Sequence, residues 1–116
     1  MKTVLAFGTH NDPQAWELVD LLREDFPKID FRKSKSPDDI LEVNTDLIII
    51  DIVKGIKRPT KLKVDDLKKR KLFTLHDFDL CFYLKLLKEI GKIAELKIIG
   101  IPEKDFDIEE VKRFLK

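Results

Sequence analysis

The stretch Leu47-Ile48-Ile49-Ile50-Asp51 decides the fold, because four consecutive branched aliphatic residues end abruptly at a carboxylate. Such a run is typical of a strand that is covered on both faces, as strands in parallel sheets are. Similar apolar runs lie at residues 3–7 and 96–101, and helical patterns separate them. Strands that alternate with helices predict the α/β class. We expect a three-layer α/β/α sandwich with a mainly parallel, twisted sheet.

Capping residues and helical spacing predict the other elements. Asp12 suits the N-cap and Pro13 the first position of a helix. Its apolar face consists of Trp16, Val19, Leu22 and Phe26. Further predicted elements are a strand at 29–32, a short helix at 36–41, a strand around Leu62, a largely apolar helix at 78–90 that ends at Gly91, and a final helix at 108–115.

Length and composition limit the classes of protein to which the chain can belong. The chain has 116 residues with 43% hydrophobic side chains, which predicts a single domain over residues 1–116. Charged residues make up 39%, but the net charge is only +1, so a globally basic nucleic-acid binder and an acidic disordered tail are excluded. This charge-rich, glycine-poor composition favours a thermophile. A single cysteine, Cys81, and the lack of a long apolar run predict a soluble cytoplasmic protein.

Candidate ligand residues follow the predicted strands. Asp51 ends the central strand, His10 and Asp12 follow the first strand, and His76 precedes the apolar helix. Because ligands gather outside the carboxyl ends of strands in α/β sheets, these residues are expected to converge. Histidine with one or two carboxylates suits Ni, Zn or Cd. Each residue also has a structural interpretation, with Asp12 as a helix cap, Asp51 as a loop hydrogen-bond acceptor and His76 as an ordinary loop residue.

Residues 54–71 differ from the rest of the chain in charge. They contain nine basic residues and only two acidic ones, Asp65 and Asp66. Such a segment is most often a solvated face, and docking of an acidic partner is the second interpretation. The sequence contains no glycine-rich phosphate loop, CxxC, HExxH or GxSxG motif.

Two stretches resemble the hydrogenase maturation endopeptidases. These are Leu47-Ile48-Ile49-Ile50-Asp51-Ile52-Val53 and the region from Phe73-Thr74-Leu75-His76-Asp77 through Ile99-Gly100-Ile101-Pro102. In that family a central strand ends in a metal-binding Asp, a (Ser/Thr)-x-His loop opens a helix, and a later strand ends in a Gly-x-x-Pro-like turn. The resemblance covers most of the chain in order.

The resemblance implies a specific reaction. Enzymes of this family remove a C-terminal peptide from the large-subunit precursor of a nickel-iron hydrogenase after nickel has been inserted. They recognise the substrate-bound nickel, for which Zn or Cd can substitute, through a first-loop carboxylate, the strand-end Asp and the His. Asp51 and His76 match the last two, and both are therefore implied as catalytic and metal-binding residues. The first loop departs from the family pattern, so either Asp12 supplies the carboxylate or His10 supplies a nitrogen instead.

Two other functions fit parts of the sequence. A non-catalytic docking module of the same fold would use the basic segment to bind an acidic partner in hydrogenase assembly. A receiver-like domain would use Asp51 as a phospho-acceptor, but it needs an acidic pair after the first strand, where the chain has Phe7-Gly8-Thr9-His10. The expected partner is therefore the hydrogenase large-subunit precursor, with neither nucleic acid nor membrane as a partner.

Overall fold

The computed structural model describes residues 2–35, 39–40, 46–63, 73–74 and 96–116, with only the backbone given for 73, 74 and 96. Six strands and two helices lie within these ranges. They are β1 (Lys2–Phe7), α1 (Gln14–Leu22), β2 (Asp30–Ser34), β3 (Asp46–Lys54), β4 (Thr60–Lys63), β5 (Phe73–Thr74), β6 (Leu96–Ile101) and α2 (Ile108–Leu115). The helix predicted at 78–90 and the His76 side chain lie outside the described residues.

A mostly parallel sheet forms the centre of the molecule. Its five main strands lie in the order β2-β1-β3-β6-β4. The first four of these strands are parallel to their neighbours, whereas β4 runs antiparallel to β6 at the edge. The two-residue strand β5 pairs with Val53 and Lys54 at the end of β3. The predicted α/β class and its mainly parallel sheet are confirmed.

Both described helices pack on one face of this sheet. Alternate strand residues form a core with α1 and α2 that comprises Val4, Ala6, Phe31, Ile48, Ile50, Ile52, Ile99 and Ile101 together with Ala15, Leu18, Val19, Leu22, Val111 and Leu115. The opposite face is also buried, as Leu5, Ile49, Ile98 and Leu62 show. The predicted third layer depends on residues 78–90 and stays a prediction.

β3 is longer than the apolar run that predicts it. The sequence predicts an end at Ile50, but the strand continues through Asp51 to Lys54. Ile52 and Val53 are fully buried, so packing on both faces keeps the strand extended beyond the carboxylate. Asp51 therefore lies inside β3 and not in a loop after it.

The start of α1 also differs from the prediction. Pro13 occupies the N-cap position and no side chain caps the helix, so the predicted capping role of Asp12 is wrong. The backbone N–H of Asp12 instead donates to the carbonyl of Thr9 over 3.1 Å. The helix ends at Leu22, before Phe26, although Phe26 still packs against the core.

The connection between β3 and β4 passes over the end of β6, because β6 lies between these two strands. Gly55 begins it with a φ of 90°, a left-handed conformation that glycine adopts without steric cost. Ile56 then turns inward, and its Cδ1 atom lies 3.3 Å from where a Cβ on Gly100 would be. The Cγ2 atom of Val53 lies 2.7 Å from the same point. These two side chains fill the space that the missing side chain of Gly100 leaves open.

Helix α2 has its predicted bounds and is held by polar contacts. The carboxylate of Asp107 caps it by accepting a hydrogen bond from a backbone N–H two residues ahead, over 3.0 Å. Arg58 donates to Glu110 through Nη2 over 2.8 Å, which attaches the β3–β4 connection to the first turn of α2. Lys112 bonds to Asp25, and this hydrogen bond is the largest cause of the raised pKa of Lys112. Neither described helix is long and apolar enough to cross a membrane.

The close packing around Gly100 predicts a coupled stability effect. We expect Gly100→Ala to lower the free energy of unfolding by about 1–3 kcal/mol, because the new Cβ overlaps Val53. Adding Val53→Ala removes that overlap, so the double variant should be more stable than the sum of the single losses predicts. Denaturant unfolding of the two single variants and the double variant measures this coupling. Strictly additive losses would show that Val53 does not limit the space at Gly100.

Candidate functional site

One row of paired residues crosses the sheet at its carboxyl edge. It contains polar side chains, whereas the row beneath it is apolar. Asp51 pairs with Gly100, and Gly100 pairs with Thr60. Phe7 is level with Asp51, one step beyond the pair that Ala6 of β1 forms with Ile50 of β3, and it pairs with Ser34. Ser34, Phe7, Asp51, Gly100 and Thr60 are named here the edge row. Because register partners share a face, their side-chain positions lie on the face opposite α1 and α2.

Asp51 is the only charged side chain that is buried among the described residues, with 0% of its surface exposed. Its Oδ1 atom accepts a hydrogen bond from the backbone N–H of Ile52 over 2.8 Å. The row beneath it on the same face is apolar on four strands and contains Leu5, Ile49, Ile98 and Leu62. Burial of a carboxylate costs free energy unless the charge is compensated. A carboxylate kept at this edge of an α/β sheet is therefore a functional-site candidate.

The loop after β1 begins at the same edge as Asp51. The backbone N–H of Thr9 donates to the Asp12 carbonyl over 3.2 Å, and the Asp12 N–H donates back to Thr9. These reciprocal bonds close a compact turn in which His10 is exposed and Asp12 is half-buried. The loop is therefore folded by its own backbone, and its two candidate ligand side chains project from a defined turn.

Trp16 anchors this loop to the sheet. Its indole N–H donates to the carbonyls of Ala6 over 3.0 Å and of Ser34 over 3.3 Å, at the ends of β1 and β2. The ring lies against Gly8, where a Cβ would be 2.9 Å from Nε1. His10 meets the ring edge-on at a centroid distance of 6.0 Å. Helical spacing identifies Trp16 only as a core residue, so its role at the loop was missed.

The structure brings the predicted site residues together only in part. Asp51 and the loop that carries His10 and Asp12 share the carboxyl edge, but Asp51 lies on the face opposite the helix that follows this loop. Within the described residues, no group of three or more His, Cys, Asp or Glu side chains is arranged to hold a metal ion. The position of His76 relative to Asp51 lies outside the described residues. The proposed ligand set therefore stays a prediction.

Comparison with known proteins identifies the family. A family model described as hydrogenase maturation protease matches residues 37–115. The match covers more than half of the chain, and the protein belongs to this family. Searches of curated proteins and of solved structures found no significant match. The suspected resemblance is confirmed, and family membership decides against the receiver-like interpretation.

The bounds of the match separate the candidate residues into two groups. Asp51 and His76 lie within residues 37–115, whereas His10 and Asp12 lie in the unmatched first part of the chain. The first part is also where the sequence departs from the family pattern, with a short loop after Gly8. The family assignment therefore supports the two matched positions and leaves the first-loop ligand to be tested.

The contact between Gly8 and Trp16 predicts a spectroscopic effect. We expect Gly8→Ala to displace the indole, weaken its two hydrogen bonds and shift its emission to longer wavelength as water reaches the ring. Trp16 is the only tryptophan, so intrinsic fluorescence reports on this position alone. Leu21→Ala is the matched control, because Leu21 lies on the same helix and is 56% exposed. Unchanged emission in Gly8→Ala would contradict the tight contact.

Proposed function

We propose that this protein removes the C-terminal extension from the large-subunit precursor of a nickel-iron hydrogenase after nickel insertion. The observation that carries the proposal is the buried Asp51 carboxylate at the carboxyl edge of the sheet, within the segment that matches the family. Asp51 and His76 would complete the coordination of nickel that the substrate already holds. The nickel is thus part of the substrate and not a resident cofactor. Zn or Cd in place of nickel would be bound by the same ligands.

The proposed role of Asp51 follows from its chemistry and position. A carboxylate in a dry environment interacts strongly with a cation, because the local dielectric is low. Its orientation is fixed by the hydrogen bond from Ile52 to Oδ1. Nickel bound beside a fixed carboxylate would place the adjoining peptide segment reproducibly, which is the positioning that peptide hydrolysis requires. Because the side chain is fully buried, substrate binding must be coupled to local displacement of the groups around it.

The first loop would supply the remaining contact. Asp12 offers a carboxylate and His10 an imidazole, and both project from the turn closed by Thr9. The two alternatives differ in how nickel binding depends on pH. Binding through His10 would weaken at low pH, because imidazole binds nickel only when it is neutral. Asp12→Asn and His10→Gln, each compared with the unmodified protein, identify the residue on which processing depends.

Substitution of Asp51 separates function from stability. Asp51→Asn preserves the size of the side chain and an acceptor for the Ile52 N–H, so we expect the free energy of unfolding to change by no more than about 1 kcal/mol. Processing of the precursor and coordination of its nickel should nevertheless be lost, because the charge is gone. Asp46→Asn, an exposed position at the start of the same strand, is the control and should retain both. Full processing by the folded Asp51→Asn protein would disprove the role of Asp51.

The reaction itself is tested by intact-mass measurement of a nickel-loaded large-subunit precursor after incubation with the protein. We expect the precursor to lose the mass of its C-terminal extension, and nickel-free precursor to remain unchanged. A stable complex without shortening would support the docking-module alternative, which the unmatched first loop favours. An unchanged mass with no complex would overturn both.

A further inference from the structure

A strip of lysines runs along the outer strand of the sheet and the connection that leads into it. Residues 54–63 contain five basic residues and no acidic one. Four exposed lysines, three from this segment and one from β6, are named here the basic strip: Lys57, Lys61, Lys63 and Lys97. Lys61 and Lys63 lie two residues apart on β4, about 7 Å along the strand, and Lys57 lies on the connection before it.

The strand register places most of the strip on one face. Lys61 pairs with Ile99 and Lys63 pairs with Lys97. Ile99 belongs to the core beneath the helices, so these lysines lie on the helix-bearing face. The nearby Arg58 is neutralised by Glu110. Within the part of the chain that the structure describes, no carboxylate lies within 4.0 Å of the ammonium groups of Lys57, Lys61 or Lys97.

Protection of the outer strand accounts for only part of this arrangement. Lys63 and Lys97 are direct cross-strand neighbours on one face. Lysines on an outer strand such as β4 commonly prevent strands of different molecules from pairing. That explanation does not extend to Lys97, because β6 lies between β3 and β4. The strip therefore indicates a surface for a negatively charged partner.

The strip begins at the same carboxyl edge as the candidate site, although its strand lysines lie on the face opposite the Asp51 side chain. Thr60 directly precedes Lys61 and belongs to the edge row, two strands away from Asp51. Two inter-strand spacings put the backbones of Thr60 and Asp51 about 10 Å apart. A polypeptide that lies along β4 would thus reach the carboxyl edge close to Asp51.

We propose that the basic strip docks an acidic segment of the hydrogenase large-subunit precursor. This inference rests on the proposed function and adds to it a second contact, which holds the substrate while its C-terminal region reaches Asp51. Carboxylates of the segment would lie against Lys57, Lys61 and Lys97. A protein partner fits better than a nucleic acid, because residues 54–63 contain no aromatic side chain on which a base could stack.

The test measures binding separately from processing. The association rate of nickel-loaded precursor with immobilised protein is compared between Lys57→Glu/Lys61→Glu and the control Lys28→Glu/Lys116→Glu. Lys28 and Lys116 are exposed residues that line a groove at the other edge of the sheet. Each Lys→Glu change lowers the net charge by two units, so both double variants change from +1 to −3. Because the two double variants have the same net charge, a difference in their association rates reports on where the substituted lysines lie.

We expect association to fall about tenfold or more in Lys57→Glu/Lys61→Glu and much less in the control, with the difference lost at high salt. Equal effects in the two variants, or no binding of precursor by the unmodified protein, would overturn the inference. So would a single-stranded oligonucleotide that binds the strip and competes with the precursor. Salt-dependent, strip-dependent binding without shortening of the precursor would uphold the docking surface while disproving the peptidase reaction.

Discussion

The burial of β3 on both faces is the constraint on which the rest of the structure depends. Seven consecutive residues, from Leu47 to Val53, are buried, and six of them are apolar. Such a strand is typical of the interior of a parallel sheet, and β3 has parallel neighbours on both sides, β1 and β6. Asp51 is the exception within it. Its carboxylate is buried because the strand around it is buried, so the fold itself creates the unusual environment of the candidate site.

Local pattern was enough to predict the elements whose signals lie within a few residues. The apolar run of β3, the limits of β6 and the bounds of α2 are of this kind. Asp51 was likewise predicted as a candidate, because a charge at the end of an apolar run is visible in the sequence. The true end of β3 was not predicted, since the burial of Ile52 and Val53 depends on which strands lie beside them.

Other features depend on strand register and could not be predicted from one sequence. The edge row joins residues from five strands, and its composition becomes apparent only when the order β2-β1-β3-β6-β4 is known. Trp16 has the same spacing as any core residue of α1, yet its N–H joins the ends of β1 and β2. The packing of Val53 against Gly100 likewise depends on pairing between distant parts of the chain.

The β3–β4 connection links the candidate site to the basic strip. Ile56 packs beside Gly100, next to Asp51, while Lys57 begins the strip on the following residue. Arg58 fixes this connection to α2 through Glu110. The connection thus packs beside the register partner of Asp51 and also carries a charge that an acidic partner would meet. Contact of a partner with Lys57 would act on the same short segment that packs beside Asp51. Docking on the strip and access to the carboxylate would therefore involve the same short connection.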